Sequence, residues 1–304
     1  MKFKKLILNG GGIRGIELLG AIEPLHEVLD INTIVGVSAG SLCSLGLVLG
    51  YTILELKDIL FKFDLIKEKD ISLLGIMQSY GINNCSSILN LICLILTRKG
   101  FSENLTFDEL YQKTGIHFIV VVTNLSKHRT EYWCYKTQPQ TKIFDAIRIS
   151  INIPLYFYKI KFRGDYYVDG GITDNFPLNP VTVDGKELFD SIDRKDVLVI
   201  KISSEREMNH INFLNNHEEI NDFKDYFITL ISLMKEIQET LRIKNHDYMK
   251  KLCAKNKINL FNESIIFIEN NLNISCIDFD LSNEKKEELY TNGKNASIEF
   301  LKNR

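Results

Sequence analysis

Apolar positions near the N-terminus alternate between two rhythms. Leu6-Ile7-Leu8 is a short apolar run ending close to glycines, the pattern of a buried parallel strand. Over residues 16–29 the apolar side chains recur at helical spacing, at Ile16, Leu19, Ile22, Leu25 and Leu29, which predicts a helix. Residues 33–37 then read as a second strand, and residues 38–49 as a second helix rich in small and apolar residues. Strand, helix, strand, helix in that order predicts a right-handed βαβ unit and a parallel sheet, hence an α/β fold.

Further along, residues 54–100 read as helical and irregular, without a strong strand signal. Thr106-Phe107-Asp108-Glu109 is a capping box that opens a helix ending near Gly115. Residues 118–122 form a β-branched run, again a buried strand, and residues 131–135 are expected to pair with it. A helix over 142–150 is predicted, and Pro154 interrupts the chain shortly after it. Residues 156–162 and 166–168 flank Arg163-Gly164-Asp165, which reads as a hairpin turn. Residues 197–202 supply a further strand. Beyond residue 205 the composition shifts towards Asn, Lys and Glu, with amphipathic helices predicted over 223–251 and 283–301. Neither a repeat nor a linker interrupts the chain. The expectation is one domain over 1–304, its chemical motifs within 3–204 and a helical C-terminal layer over 205–304.

At 304 residues, such a chain buries roughly three quarters of its unfolded surface and needs no metal or disulfide staple. A formal net charge of −2 argues against a general nucleic-acid binder. None of the six cysteines forms a C-x-x-C pair, so reduced, mostly buried thiols are expected rather than zinc or redox sites. The first apolar run is too short for a secretory signal. The longest, residues 88–96, is interrupted by Asn90 and falls well below the ~20 residues that cross a bilayer. A soluble chain is expected, cytoplasmic or in peripheral contact with a membrane.

Two glycine motifs carry the candidate chemistry. Gly10-Gly11-Gly12-Ile13-Arg14-Gly15 lies between the first strand and the first helix, where unpaired N–H groups can hold an anion. Gly10, Gly12 and Gly15 also match the G-x-G-x-x-G dinucleotide fingerprint. That fingerprint requires an acidic residue at the end of the second strand, whereas Asp30 precedes the strand. The strand ends instead in Gly36-Val37-Ser38-Ala39-Gly40, a G-x-S-x-G sequence in the strand–turn–helix setting of a nucleophilic serine. The helix behind Ser38 presents its positive end to the reacting centre. The simpler reading makes Ser38 a helix cap.

A serine hydroxyl needs a base. Of the histidines after it, His210 is the best candidate for a conventional triad, since it follows a strand ending near Ser203. Asp169 is the stronger candidate. It ends the run Tyr166-Tyr167-Val168 and precedes Gly170-Gly171, so its carboxylate projects from a strand end into a space opened by glycines, where it can serve as general base. Asp165 belongs to the hairpin turn and Asp174 lies beyond the glycines.

Together these segments resemble the patatin-like phospholipases. That family combines a glycine-rich oxyanion loop, a G-x-S-x-G nucleophile and a D-G-G or D-G-A aspartate in a Ser–Asp dyad. Gly10 to Gly15 matches the oxyanion loop including its basic residue, Arg14. Gly36 and Gly40 frame the nucleophile elbow, and Asp169-Gly170-Gly171 matches the dyad loop. Ser150-Ile151-Asn152-Ile153-Pro154 looks like the family's S-x-x-x-P segment, and Val122-Thr123-Asn124-Leu125 resembles its central strand and following turn. Asn9 departs from the Asp often found there, and the backbone donors make that a minor change. Asn152 stands where a small residue is common.

The resemblance implies a three-layer α/β/α fold with a mainly parallel central sheet, and hydrolysis of phospholipid acyl esters. It implies Ser38 as nucleophile, Asp169 as base, and an oxyanion hole drawn from Gly10, Gly11, Gly12, Arg14 and Ala39. No cofactor or metal is implied. Arg14 either steadies the loop, meets a substrate phosphate, or is a helix-surface charge. Residues 88–96 either form a buried helix, line an acyl channel, or dip into lipid. A soluble esterase or thioesterase using the same dyad remains open, as does a non-catalytic lipid-binding protein. Head-group preference and any activating partner also stay open.

Overall fold

A computed structural model describes residues 2–62, 77–188, 194–203, 229–230, 233, 264–269, 272 and 274–304. The chain starts with β1 (Phe3–Leu8), α1 (Gly15–Ile22), β2 (Leu29–Val37), α2 (Ala39–Val48) and α3 (Ile53–Lys62). The middle contains β3 (Gly81–Asn83), α4 (Ser86–Arg98), α5 (Phe107–Thr114), β4 (His117–Asn124), β5 (Arg129–Trp133) and α6 (Ile143–Ser150). Then come β6 (Leu155–Phe157), β7 (Ile160–Phe162), β8 (Asp165–Asp169) and the single turn α7 (Gly171–Asp174). β9 (Val197–Ile202), β10 (Ser264–Ile268) and α8 (Asn283–Lys302) complete the order.

The main sheet runs β10-β9-β1-β2-β4-β8-β7, with β5 also paired to β4. Its first five strands are parallel, as the βαβ reading requires, and β5, β7 and β8 run antiparallel to their neighbours. Helices cover both faces in a mixed α/β architecture. Strand side chains alternate between the two faces. Leu6, Leu8, Ile34, Val120 and Ile200 enter the larger core beneath α1, α2 and α8, and Ile7, Val35, Val121 and Val199 enter a smaller one with Phe176 and Leu178. That two-sided burial explains why these strands read as continuous apolar runs.

Local signals place most boundaries. Thr106 and Glu109 form both bonds of the capping box, and Gly115 ends α5 in a left-handed turn. A second box, Thr52–Glu55, starts α3; it went unread in the sequence. The helix predicted over 16–29 stops early. Pro24 has no N–H to give the carbonyl of Gly20, the chain tightens to a 3-10 turn at Glu23–Leu25, and β2 already begins at Leu29.

Strands account for three more differences. Residues 156–162 do not form one strand: β6 pairs in parallel with β3 in a separate two-stranded ribbon, while β7 joins the main sheet. β3, at three residues, is too short to show a period of two. β10 lies in the region expected to be helical, where its apolar run Ile265-Ile266-Phe267-Ile268 extends the sheet beside β9. The helix predicted over 223–251 lies outside the described residues, and α8 matches the one predicted over 283–301.

The apolar face of α4 is buried at Ile88, Leu91, Ile92, Ile95 and Leu96, so the alternative in which this segment dips into lipid is corrected to a core helix. Among the described residues, no helix is long and apolar enough to cross a membrane.

Candidate active site

Strand register assembles the site. Val37 pairs with Val121, and the next residue, Val122, pairs with Asp169. Ser38, one step beyond Val37, therefore arrives beside Asp169 across 131 positions of sequence. Its Oγ donates to Asp169 Oδ2 at 2.6 Å. The other carboxylate oxygen, Oδ1, accepts the Gly171 N–H at 2.7 Å, so the glycine after the aspartate aims the carboxylate. Both residues are buried.

Ser38 has φ 51° and ψ −124°, a conformation that costs on the order of 1–3 kcal/mol and persists only when its surroundings impose it. Three groups impose it. The Ser38 N–H donates to Ser150 Oγ at 2.9 Å, and the Ser38 carbonyl accepts from the Ser41 N–H at 2.8 Å and the Ser41 hydroxyl at 2.6 Å. The Ser150 hydroxyl in turn donates to the carbonyl of Val121 at 2.7 Å. Gly36 closes the pairing of β2 with Leu8. Gly40 is required by close approach, since a Cβ there would lie 2.4 Å from the Leu8 carbonyl oxygen.

The Asp169 backbone is stitched to the end of α6. Its N–H donates to Asn152 O at 2.8 Å, and the Gly170 N–H donates to Ser150 O at 3.2 Å. The Thr123 hydroxyl donates to Asp169 O at 2.9 Å. Neither neighbouring aspartate touches Ser38: Asp165 is held by Lys127 and Asn124, and Asp174 accepts a hydrogen bond from the Tyr132 hydroxyl. No hydrogen bond joins Ser38 to a described histidine. His117 sits at the opposite end of β4, its pKa pushed down to about 4 by burial and by Lys136. His210, His217 and His246 lie outside the described residues.

The glycine-rich loop is more differentiated than its sequence suggests. The Gly10 N–H donates to Asn175 Oδ1 at 2.9 Å, which takes it out of the predicted oxyanion hole. The amides of Gly11 and Gly12 have no hydrogen-bond partner among the described residues. Gly12 adopts φ +57°, and a Cβ there would lie 1.7 Å from the carbonyl oxygen of Cys276. That carbonyl accepts the Ile13 N–H at 2.9 Å, so the segment before α8 holds down the loop.

Arg14 also departs from expectation. Its Nη1 donates to Ser203 O at 3.0 Å and its Nη2 lies 2.9 Å from Glu17 Oε2, with both side chains buried. It is neither a surface charge nor an oxyanion donor: the guanidinium is committed to steadying the loop. Glu17 in turn accepts from Asn292 of α8 at 2.9 Å, and burial pushes its pKa up to about 7 against the opposing pull of Arg14. Asn9 proves more than a minor change. Its Nδ2 donates to Ile202 O at 3.0 Å and its Oδ1 accepts the Ile202 N–H at 2.9 Å, a pairing that needs an amide because a carboxylate cannot donate.

Ser38 and Ala39 open onto an apolar cavity of about 60 Å³, partly open to solvent. Ile16, Leu42, Ile88, Ile153, Phe157 and Phe279 form much of its wall. Sequence reading missed Asn175, which ties the glycine loop to the aspartate loop, and Phe279. Asn175 could have been suspected from its place six residues after Asp169, but Phe279 carried no signal. Cys43 also lines the cavity as a buried, free thiol, its pKa pushed up to about 12 by burial.

The profile of the patatin-like phospholipases matches residues 6–182. An uncharacterised protein of Acanthamoeba polyphaga mimivirus, R571, is 30% identical over 99% of this chain and 95% of its own length. A probable lipid hydrolase of Invertebrate iridescent virus 6, 463L, is 32% identical over 58% of this chain and 62% of its own. VipD from Legionella pneumophila shares the fold, with a TM-score of 0.61 at 19% identity over all of this chain and 67% of that one. With the profile spanning more than half of its length and a relative aligned almost end to end, the chain belongs to the patatin-like phospholipase family.

Proposed function

We propose that this protein is a serine acyl hydrolase that cleaves fatty-acyl esters of phospholipids or lysophospholipids through a covalent acyl-enzyme. The observation that carries this reading is the 2.6 Å contact of the Ser38 hydroxyl with Asp169 beside an apolar cavity. Asp169 takes the Ser38 proton as Oγ attacks the ester carbonyl. The resulting oxyanion is held by the amides of Gly11 and Gly12, with Ala39 at the positive end of α2. The acyl chain lies against Ile153 and Phe157. As the tetrahedral intermediate collapses, Asp169 returns the proton to the departing alkoxide, releasing the lysophospholipid. Water, deprotonated by Asp169, then frees the fatty acid and restores Ser38.

A fluorophosphonate probe tests the nucleophile, with fatty-acid release from phosphatidylcholine vesicles measured in parallel. Labelling and release are expected in the wild type. Ser38→Ala should lose both, and Asp169→Asn should lose ~10²–10⁴-fold in rate. Labelling that persists in Ser38→Ala refutes the assignment. Hydrolysis confined to short-chain nitrophenyl esters replaces phospholipid by a small acyl substrate.

A further inference from the structure

The ribbon of β3 and β6 forms one wall of the cavity through Phe157, yet large apolar side chains in and beside it are exposed. Met77, Tyr80, Leu155 and Tyr158 are all between 41 and 67% exposed. Backbone pairing brings their segments together: Gly81 pairs with Leu155, and Tyr158 and Lys159 donate N–H bonds to the carbonyls of Asn83 and Ser79 at 3.0 and 2.8 Å. Scattered exposed apolar residues need no explanation, but a cluster of four does.

Backbone conformation sharpens the point. Tyr80 has φ 55° and Leu155 φ 59°, a region that bulky residues rarely occupy. Glycine or asparagine would relax the backbone at either position. Instead the ribbon holds two large apolar side chains in strained conformations, facing solvent, where they add little to the core.

Charge selects the partner. Segments 77–84 and 155–159 contain Lys159 and no acidic residue, and Lys161 and Arg163 follow in β7 and the turn after it. Lys159 Nζ lies 3.9 Å from the centroid of the Tyr80 ring, a pairing that keeps cation and aromatic ring together at the surface. Tyrosine rings with lysines on flexible stems suit the boundary between lipid headgroups and acyl chains. Phe157 of the same ribbon lines the cavity onto which Ser38 opens.

We propose that this ribbon docks the protein on an anionic lipid surface and sets the cavity mouth against it. The inference rests on the acyl-hydrolase reading for the purpose of docking, while its test is independent of catalysis. The Ser38→Ala protein is floated with phosphatidylcholine vesicles, with and without phosphatidylserine. Binding is expected to be stronger with phosphatidylserine, and Lys159→Gln to weaken it about fivefold. Tyr80→Asn combined with Leu155→Asn removes the apolar contact and relieves both positive φ angles, so the thermal midpoint should hold or rise while vesicle binding falls at least tenfold. In the Ser38 background the same pair should leave short-chain ester hydrolysis unchanged and depress hydrolysis of vesicle lipid. Undiminished flotation of the double variant, or no flotation of the parent with either vesicle, overturns the proposal. If the chain proves not to be a hydrolase, the ester assays are silent and flotation still decides.

Discussion

Ser150→Ala tests how the strained turn at Ser38 is held. Ser150 is fully buried, and its hydroxyl links the Ser38 N–H at 2.9 Å to the Val121 carbonyl at 2.7 Å. Removing one oxygen leaves almost no cavity, so the cost comes from hydrogen bonding. A buried N–H without its acceptor costs about 1–3 kcal/mol. At ~2–4 °C per kcal/mol for a domain of a few hundred residues, the melting midpoint should fall by several degrees. Ser38 would also be freer to leave φ 51°, and a displacement of ~1 Å at a reacting atom costs up to ~10²-fold in rate. Turnover of a short-chain ester should therefore fall ~10–100-fold with little change in KM. Ser44→Ala is the control, because the Ser44 hydroxyl is equally buried but has no partner among the described residues. Calorimetry and steady-state kinetics on the two variants decide the matter. If Ser150→Ala matches Ser44→Ala in both, Ser150 does not brace the turn.

Two further tests probe the loop and its supports. Because Glu17 holds its proton more tightly folded (about 7) than unfolded (4.5), its contribution to stability is greatest below pH ~4.5 and declines as pH rises to ~7, by up to ~3 kcal/mol. Glu17→Gln should flatten that part of the pH profile of urea midpoints relative to wild type, and parallel profiles would contradict the raised value. Gly12→Ala and Gly50→Ala both place alanine at positive φ, a strain of ~1–2 kcal/mol, but only Gly12 faces a backbone carbonyl, while Gly50 has open space. Gly12→Ala should lose more stability than Gly50→Ala and at least tenfold in probe labelling; equal behaviour would remove Cys276 from the support of the loop.

Much of this architecture is legible residue by residue. Apolar runs of β-branched residues mark β2, β4 and β9 because strands buried on both faces need apolar side chains throughout. Thr106 and Glu109 mark the start of α5 through bonds made within one turn. Short or misleading signals fail: β3 is three residues long, and β10 stands in a polar stretch whose composition masks its apolar run.

The candidate site divides along the same line. Gly36 to Gly40 and Asp169 to Gly171 stand out in the chain because their turn geometry depends on neighbouring residues. The sequence by itself therefore determined the two candidate reactive side chains and the parallel α/β frame that carries them. Only the folded chain decided which groups are already engaged. Gly10 gives its N–H to Asn175, Arg14 is buried against Glu17 and Ser203, and Phe279 lines the cavity from more than 200 residues beyond Ser38. Periodicity and turn chemistry report bonds within a few residues of each other, whereas these contacts are set by strand register and packing between distant segments.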